Sequence, residues 1–360
     1  MLKIVRIQIG DFIKEVFPLK RWQCIMLIMY ACLISFCSTA HADIEVRFFD
    51  VGDADAALIQ CDGHHMLIDG GYASDSSRMY TILQQSNISH LDMVVASHVH
   101  EDHIGGLAGA LNYAISDLVL CPVSMSSEPA FSALVKYANE RSTGITVPHV
   151  GDKYSLGDAV IEILGVNSAD GANNSSIILK LTYGKTSFLF TGDAESEAER
   201  VVSTSGYDLS STVLKVAHHG SDTSTTYTFL EKVMPTFSVI SVDADSKYGM
   251  PSENVIARLQ SINSVVYRTD IHGNITFWSD GEKISATIDA ALLPFANSNG
   301  ELLYETSQGV TYVVNISTMK FHSPDCSSVA SIKETNRADH DGTKEQLVEY
   351  GYQPCKLCNP

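Results

Sequence analysis

Ser97-His98-Val99-His100-Glu101-Asp102-His103-Ile104-Gly105-Gly106 carries three histidines and one aspartate in six positions, H-x-H-x-D-H. The residues just before it, Leu91–Ala96, read as a short buried strand, and the glycine pair after it opens a helix expected over Leu107–Asn112. A turn between strand and helix points all four polar side chains into one pocket. Imidazole nitrogens and a carboxylate at this density suit zinc or a similar divalent metal. The alternative is a histidine-rich surface loop. What argues against it is that further polar clusters follow, each at the end of another predicted strand.

Those clusters number four. Phe49-Asp50-Val51-Gly52-Asp53-Ala54-Asp55-Ala56 comes first and Leu67-Ile68-Asp69-Gly70-Gly71 second. After the histidine turn come Phe190-Thr191-Gly192-Asp193-Ala194 and Leu214-Lys215-Val216-Ala217-His218-His219-Gly220-Ser221. Loops at one rim of a sheet can converge on a single site. Alternation of apolar and polar residues marks strands at Ile44–Phe49, Ala56–Gln60 and Met66–Ile68, the last two joined at Asp62-Gly63. Apolar runs mark Met93–Ala96, Leu118–Leu120, Val160–Leu164, Ile177–Thr182, Ser187–Phe190, Val213–Ala217, Phe237–Ser241 and Val265–Tyr267. Helices are expected at Arg78–Gln85, Glu195–Val202, Thr226–Val233 and Glu253–Gln260, and a hairpin of Asn274–Trp278 with Lys283–Ile288 closes the series. Strands and helices alternate in two similar halves, which predicts two sheets back to back with helices outside.

This set of motifs resembles the metallo-β-lactamase-fold hydrolases. Within them it resembles the extracytoplasmic hydrolase domain of ComEC-type competence (DNA-uptake) proteins. Asn173-Asn174-Ser175-Ser176 and Tyr267-Arg268-Thr269-Asp270-Ile271-His272-Gly273 belong to the same likeness, which covers roughly residues 44–280. The resemblance implies an αββα sandwich of mixed α/β class with a one- or two-metal site holding zinc, or manganese instead. His98 and His100 would bind the first metal, Asp102 and His103 the second, and Asp193 would bridge them. Asp69 would orient a ligand histidine. Asp102, His218 and His219 form the implied catalytic set. Of the two adjacent histidines, one would be a ligand, taken as His218, and the other would protonate a leaving group. Two departures stand out. Asn173-Asn174 sits where many members carry a further ligand histidine, and Tyr248-Gly249-Met250-Pro251 has methionine where the ComEC pattern often has histidine. A thioether is a poor zinc ligand, so the second metal would be held more weakly.

The tail carries a separate signal. His322 and Cys326 are followed after 28 residues by Cys355 and Cys358, giving H-x3-C…C-x2-C, a spacing suited to a closed tetrahedral zinc site. Its surroundings resemble the small zinc-binding module of Ada-type DNA-alkylation response proteins. There the first ligand is a methyl-accepting cysteine; here it is His322. A disulfide is the alternative, but three cysteines would leave one unpaired. The expected organisation is therefore a signal peptide over 1–42, a hydrolase domain over 43–289, a linker over 290–308 and a zinc module over 309–360.

The chain has 360 residues, 45% of them hydrophobic, and a net charge of −18. Such a charge argues against a broad basic face gripping nucleic acid. Lys20 and Arg21 precede an apolar run densest from Ile25 to Phe36. Ser38-Thr39-Ala40-His41-Ala42 then offers an A-x-A cleavage site, with Asp43 as the first mature residue. The run is short for a membrane span. Cleavage would remove five basic and two acidic residues and take the charge from −18 to −21. A periplasmic or secreted protein is expected, with no stable membrane insertion after cleavage. The expected activity is hydrolysis of a phosphodiester, DNA above all, by a metal-bound hydroxide. The alternatives are an ester, amide or lactone hydrolase of the same fold, and a catalytically weak binding protein.

Overall fold

A computed structural model describes residues 44–142, 144–288 and, with gaps, 291–358. The expected signal peptide and its cleavage site lie outside the described residues. The first sheet begins with β1 (Ile44–Phe48), β2 (Ala57–Cys61) and β3 (His64–Ile68), which run antiparallel. β4 (His90–Val95), β5 (Ile115–Leu120) and β6 (Ile145–Thr146) then add in parallel. The second half repeats the plan. β7 (Lys153–Leu156), β8 (Ala159–Gly165), β9 (Ile178–Tyr183) and β10 (Thr186–Phe190) are antiparallel. β11 (Val213–Lys215), β12 (Phe237–Ile240) and β13 (Val265–Arg268) follow in parallel. β14 (Ile275–Ser279) returns to pair with β1, and β15 (Lys283–Ile288) pairs with β14.

Strand alternation builds the layers. On β10, Phe188 and Phe190 point into the space between the sheets, while Leu189 points to the outer face. Met66 and Ile68 of β3 likewise face inward and Leu67 outward, as the two-residue period of a strand requires. Phe48 sits at the centre of the inner core, 5.7 Å from the Phe190 ring and 6.1 Å from the Phe277 ring. Each such buried aromatic contributes on the order of 2–3 kcal/mol. Outside the first sheet lie helices Ser76–Gln85, Leu107–Tyr113 and Pro129–Arg141, which bury Met79, Leu83, Leu107, Leu111, Phe131 and Leu134. Outside the second lie Ser196–Ser203, Tyr227–Val233 and Glu253–Ser261. The four layers are the αββα sandwich expected.

The stretch 290–308, expected to be a linker, instead contributes short strands: β16 (Ala291–Leu292), β17 (Phe295–Asn297) and β18 (Leu302–Leu303). β16 and β17 pair with β15 and β18 with β17. β15 would otherwise end the sheet with a row of unpaired backbone groups, and these short strands satisfy part of it. In the tail, β19 (Val310–Asn315), β20 (Lys320–His322), β21 (Arg337–Gly342) and β22 (Gln353–Pro354) form a separate sheet in the order β21-β19-β20-β22. Its small core is Tyr312, Val314, Phe321 and Leu347. Among the described residues no helix is long and apolar enough to cross a membrane.

Candidate metal centres

The ends of β1, β3 and β4 and of β10, β11 and β12 lie on one rim, and every polar cluster of the sequence follows one of them. The histidine turn is held against the Asp69 loop by close backbone contact. Gly70 donates its N–H to the His103 carbonyl at 2.7 Å, and Gly106 donates to Gly71 at 3.0 Å. A Cβ on Gly106 would stand 1.9 Å from the Gly70 carbonyl oxygen, so glycine is required there for approach rather than for backbone freedom. The glycine pair thus spaces two short helices, Glu101–Ile104 and Leu107–Tyr113, against the preceding loop.

Asp193 stands at the centre of the rim. Its Oδ2 lies 3.8 Å from His98 Nε2, and His98 Nε2 lies 3.1 Å from His100 Nδ1. Its Oδ1 lies 3.2 Å from His103 Nε2 and 3.9 Å from His219 Nε2. Asp102 joins the second set, its Oδ2 lying 3.3 Å from His219 Nε2 and 3.6 Å from His103 Nε2. Two ligand groups result, sharing Asp193: His98, His100 and Asp193, and Asp102, His103, Asp193 and His219. The ligand atoms of each lie within 4.8 Å of one another. His103 Nε2 and Asp193 Oδ1 are buried, face each other, and make no hydrogen bond. Two orphaned polar atoms so placed fit a cation that the surrounding donors would hold.

The electrostatics agree. Burial opposes charge on Asp193, but His103 and His219 outweigh it and hold the carboxylate well below its ordinary range. Burial also works against Asp102, yet the hydrogen bond from His219 and the charge of His103 hold it at about 2. Burial opposes a charged His103, but Asp193 and Asp69 on its two sides push it well above the usual imidazole value. The carboxylates therefore demand positive charge between them, which a divalent metal supplies in place of ring protons. His98, fully buried and beside His103, is held neutral, the form with a lone pair to donate.

Supporting groups fix these ligands. Asp69 takes up the orienting position expected of it: its Oδ2 pairs with His103 Nδ1 at 2.9 Å and its Oδ1 accepts the Ser97 N–H at 2.8 Å. His219 is oriented by the Ser241 carbonyl, 3.0 Å from its Nδ1. Behind them, Lys215 Nζ meets Asp55 Oδ1 at 2.8 Å, with both side chains nearly inaccessible. Sequence reasoning assigned neither residue a role. A lysine inside the apolar run Val213–Ala217 was the available signal. Glu199, fully buried, was also missed. It accepts hydrogen bonds from the Thr226 N–H and hydroxyl at 2.9 and 2.8 Å and from the Thr225 N–H, anchoring the loop that leaves the histidine pair.

The structure places His219, and not His218, among the buried side chains of the candidate ligand group. His218 is partly exposed, with Nε2 3.8 Å from Asp193 Oδ2 and Nδ1 3.2 Å from the Thr223 hydroxyl. Both hold left-handed backbone, φ 51°. That conformation costs a non-glycine residue on the order of 1–3 kcal/mol and splays the two rings in different directions. Adjacent histidines on a regular strand would point to opposite faces, so their sequence alone did not say which would be the ligand. Asn174 is no substitute for a missing ligand, because its carboxamide is spent on the Glu195 N–H and the Asp170 carbonyl. Asn173 and Met250 line the cleft above the ligands, with Asp53, Tyr72, His100, Glu101 and Tyr248 also on its walls. The cleft measures about 420 Å³.

In the tail, His322, Cys326, Cys355 and Cys358 come together with ligand atoms within 4.8 Å. His322 Nδ1 is buried without a hydrogen-bond partner. Cys355 lies at the head of a knuckle, its Sγ accepting the Leu357 N–H at 3.4 Å. Backbone N–H groups of Cys358 and Leu357 lower its thiol below the ordinary cysteine value. A thiolate-favouring knuckle, two further thiols and an orphaned imidazole fit a tetrahedral metal.

A four-layer sandwich with an H-x-H-x-D-H turn and a shared aspartate on one rim defines a class of metal-dependent hydrolases that typically bind one or two ions. Residues 49–242 match the family model of the metallo-beta-lactamase superfamily, and the chain belongs to that superfamily. Among curated relatives it is similar to ComE operon protein 3 of Bacillus subtilis, 29% identical over 70% of this chain and 34% of the relative. It is also similar to Competence protein ComA of Neisseria gonorrhoeae, 26% identical over 72% of this chain and 36% of the relative. The chain spans about a third of the length of these relatives. Among solved structures, the metallo-beta-lactamase fold protein YhfI of Bacillus subtilis aligns over 65% of this chain and all of its own, at 12% identity and a TM-score of 0.45.

Proposed function

We propose that this chain is an exported metal-dependent phosphodiesterase acting on DNA, with a structural zinc in its tail module. The observation that carries the proposal is the convergence of two ligand groups from both sheets on Asp193, with His218 standing beside them and outside them. A metal pair bound there would supply a Lewis acid that activates water near neutral pH and offsets charge on a phosphate. His98, His100 and Asp193 would hold one ion, and Asp102, His103, His219 and Asp193 the other. The competence-related relatives and the ComEC-like motif set favour a nucleic-acid substrate.

The remaining side chains have separable tasks. The Thr223 hydroxyl fixes the His218 ring at Nδ1, which leaves Nε2 facing the cleft to hold a proton and pass it to a leaving oxygen. Among the described residues lining the cleft there is no lysine or arginine. A long duplex would therefore meet an acidic surface, whereas a single strand or short nucleotide needs little basic area. Tyr248, mostly exposed at the mouth, offers a ring on which a base can stack.

The test is cleavage of single-stranded DNA, duplex DNA and bis-p-nitrophenyl phosphate by metal-loaded protein, beside an ester and lactone panel, with Asp193→Ala and His218→Gln. Diester cleavage lost in Asp193→Ala and slowed about 100-fold in His218→Gln supports the reading. Cleavage of the carbonyl substrates alone would replace it with the ester or lactone hydrolase. Mass measurement of exported protein tests removal of residues 1–42.

A further inference from the structure

At the rim opposite the catalytic loops, three neighbouring strands carry near their starts a second group of side chains of the types that bind metals. His64 opens β3, His90 opens β4 with Asp92 two residues on, and Asp117 lies in β5. His90 Nε2 is 3.0 Å from Asp117 Oδ1, and His64 Nδ1 is 2.6 Å from Asp92 Oδ1. Ligand atoms of His90, Asp92 and Asp117 lie within 4.8 Å of one another. Asp92 is held in place because its Oδ2 accepts the His65 N–H at 2.8 Å, which leaves Oδ1 turned toward the cluster.

We propose that His90, Asp92 and Asp117, with His64 at their margin as a fourth donor, form a third transition-metal site, open to solvent and independent of the catalytic centre and the tail. The reasoning is electrostatic and geometric. Asp92 and Asp117 stand on adjacent strands and each already meets a histidine, so positive charge is drawn between them, which ring protons or a metal ion can supply. Two imidazoles and two carboxylates are a donor set for zinc, copper or nickel rather than magnesium or calcium. In a tetrahedral site with bonds of 2.0–2.1 Å, neighbouring donor atoms stand about 3.3 Å apart. The His90–Asp117 separation is already close to that edge. His64 is held to Asp92 Oδ1 at 2.6 Å and would have to turn from that oxygen to join the group; its side chain and that of His90 are about half exposed, which leaves room for the turn while the strands beneath them keep their register. Such a site would clip the starts of β3, β4 and β5 together.

Two measurements test it. Purified full-length protein is dialysed to equilibrium against Zn2+ and its metal content is measured, for wild type and His90→Gln/Asp117→Asn. The variant is expected to bind one equivalent fewer while keeping wild-type hydrolysis. Equal content would overturn the proposal. Crystals of the wild-type protein soaked in Zn2+ need no variant: an anomalous peak between His90 and Asp117 supports the site. Peaks confined to the catalytic rim and the tail would overturn it.

Discussion

Lys215→Met tests whether the buried ion pair beneath the metal ligands holds the rim together. The ammonium sits 2.8 Å from Asp55 Oδ1, and the side chains are 5% and 7% exposed. At an effective dielectric of about 20, the attraction at that distance is about 6 kcal/mol. Methionine keeps the stem and escapes the lysine's own desolvation, so the net loss is smaller. Removing one partner of a buried pair costs about 3–5 kcal/mol, because the other charge stays buried. His219 Nδ1 and His103 Nδ1, at 3.8 and 3.9 Å from Asp55, take over part of the pairing and place the expected cost near about 3 kcal/mol. Urea unfolding followed by circular dichroism, with zinc and with chelator, gives the number. Lys215→Met/Asp55→Asn removes both charges and should recover more than half of the loss. A single variant within about 1 kcal/mol of wild type, or a double variant no better than the single, would refute the reasoning.

Gly106→Ala places a methyl 1.9 Å from the Gly70 carbonyl oxygen; it should cost about 3 kcal/mol and weaken metal retention, read by thermal melts and metal analysis. Glu199→Ala strips the acceptor from Thr225 and Thr226; one buried and one partly buried N–H left unpaired should lower stability by about 1–3 kcal/mol in denaturant titrations. Cys358→Ser should lose one zinc equivalent and make residues 309–360 sensitive to protease while the sandwich keeps its melting temperature, shown by limited proteolysis and calorimetry.

The sandwich was legible because its strands are period-two or wholly apolar and its polar residues fall at their ends. Helix Pro129–Arg141 was missed, although Pro129 at its first turn and Phe131, Leu134 and Ala138 on one face carried the pattern. β7 was missed for a better reason: Lys153, Tyr154 and Ser155 are solvated on an edge, and only Leu156 is fully buried. Of the site, the convergence of the histidine-turn side chains was legible, since they are close in sequence and one turn arranges them. The choice between His218 and His219 could not, because it depends on two successive left-handed residues that histidine rarely adopts. The Lys215–Asp55 pair joins β11 of the second sheet to the loop between β1 and β2, and no local pattern announces such a partner.

The shared aspartate has a consequence for how the molecule moves. Asp69 and the four ligands of the histidine turn come from the first half of the chain, while Asp193 and His219 come from the second, with Asp102 and His219 separated by 117 positions. Neither half supplies a complete candidate ligand group, so a metal bound there would act as a clasp across a seam. Under the proposed metal binding, amide hydrogen exchange in the loops after β4, β10 and β11 should accelerate together when a chelator is added, as one cooperative opening rather than three local ones.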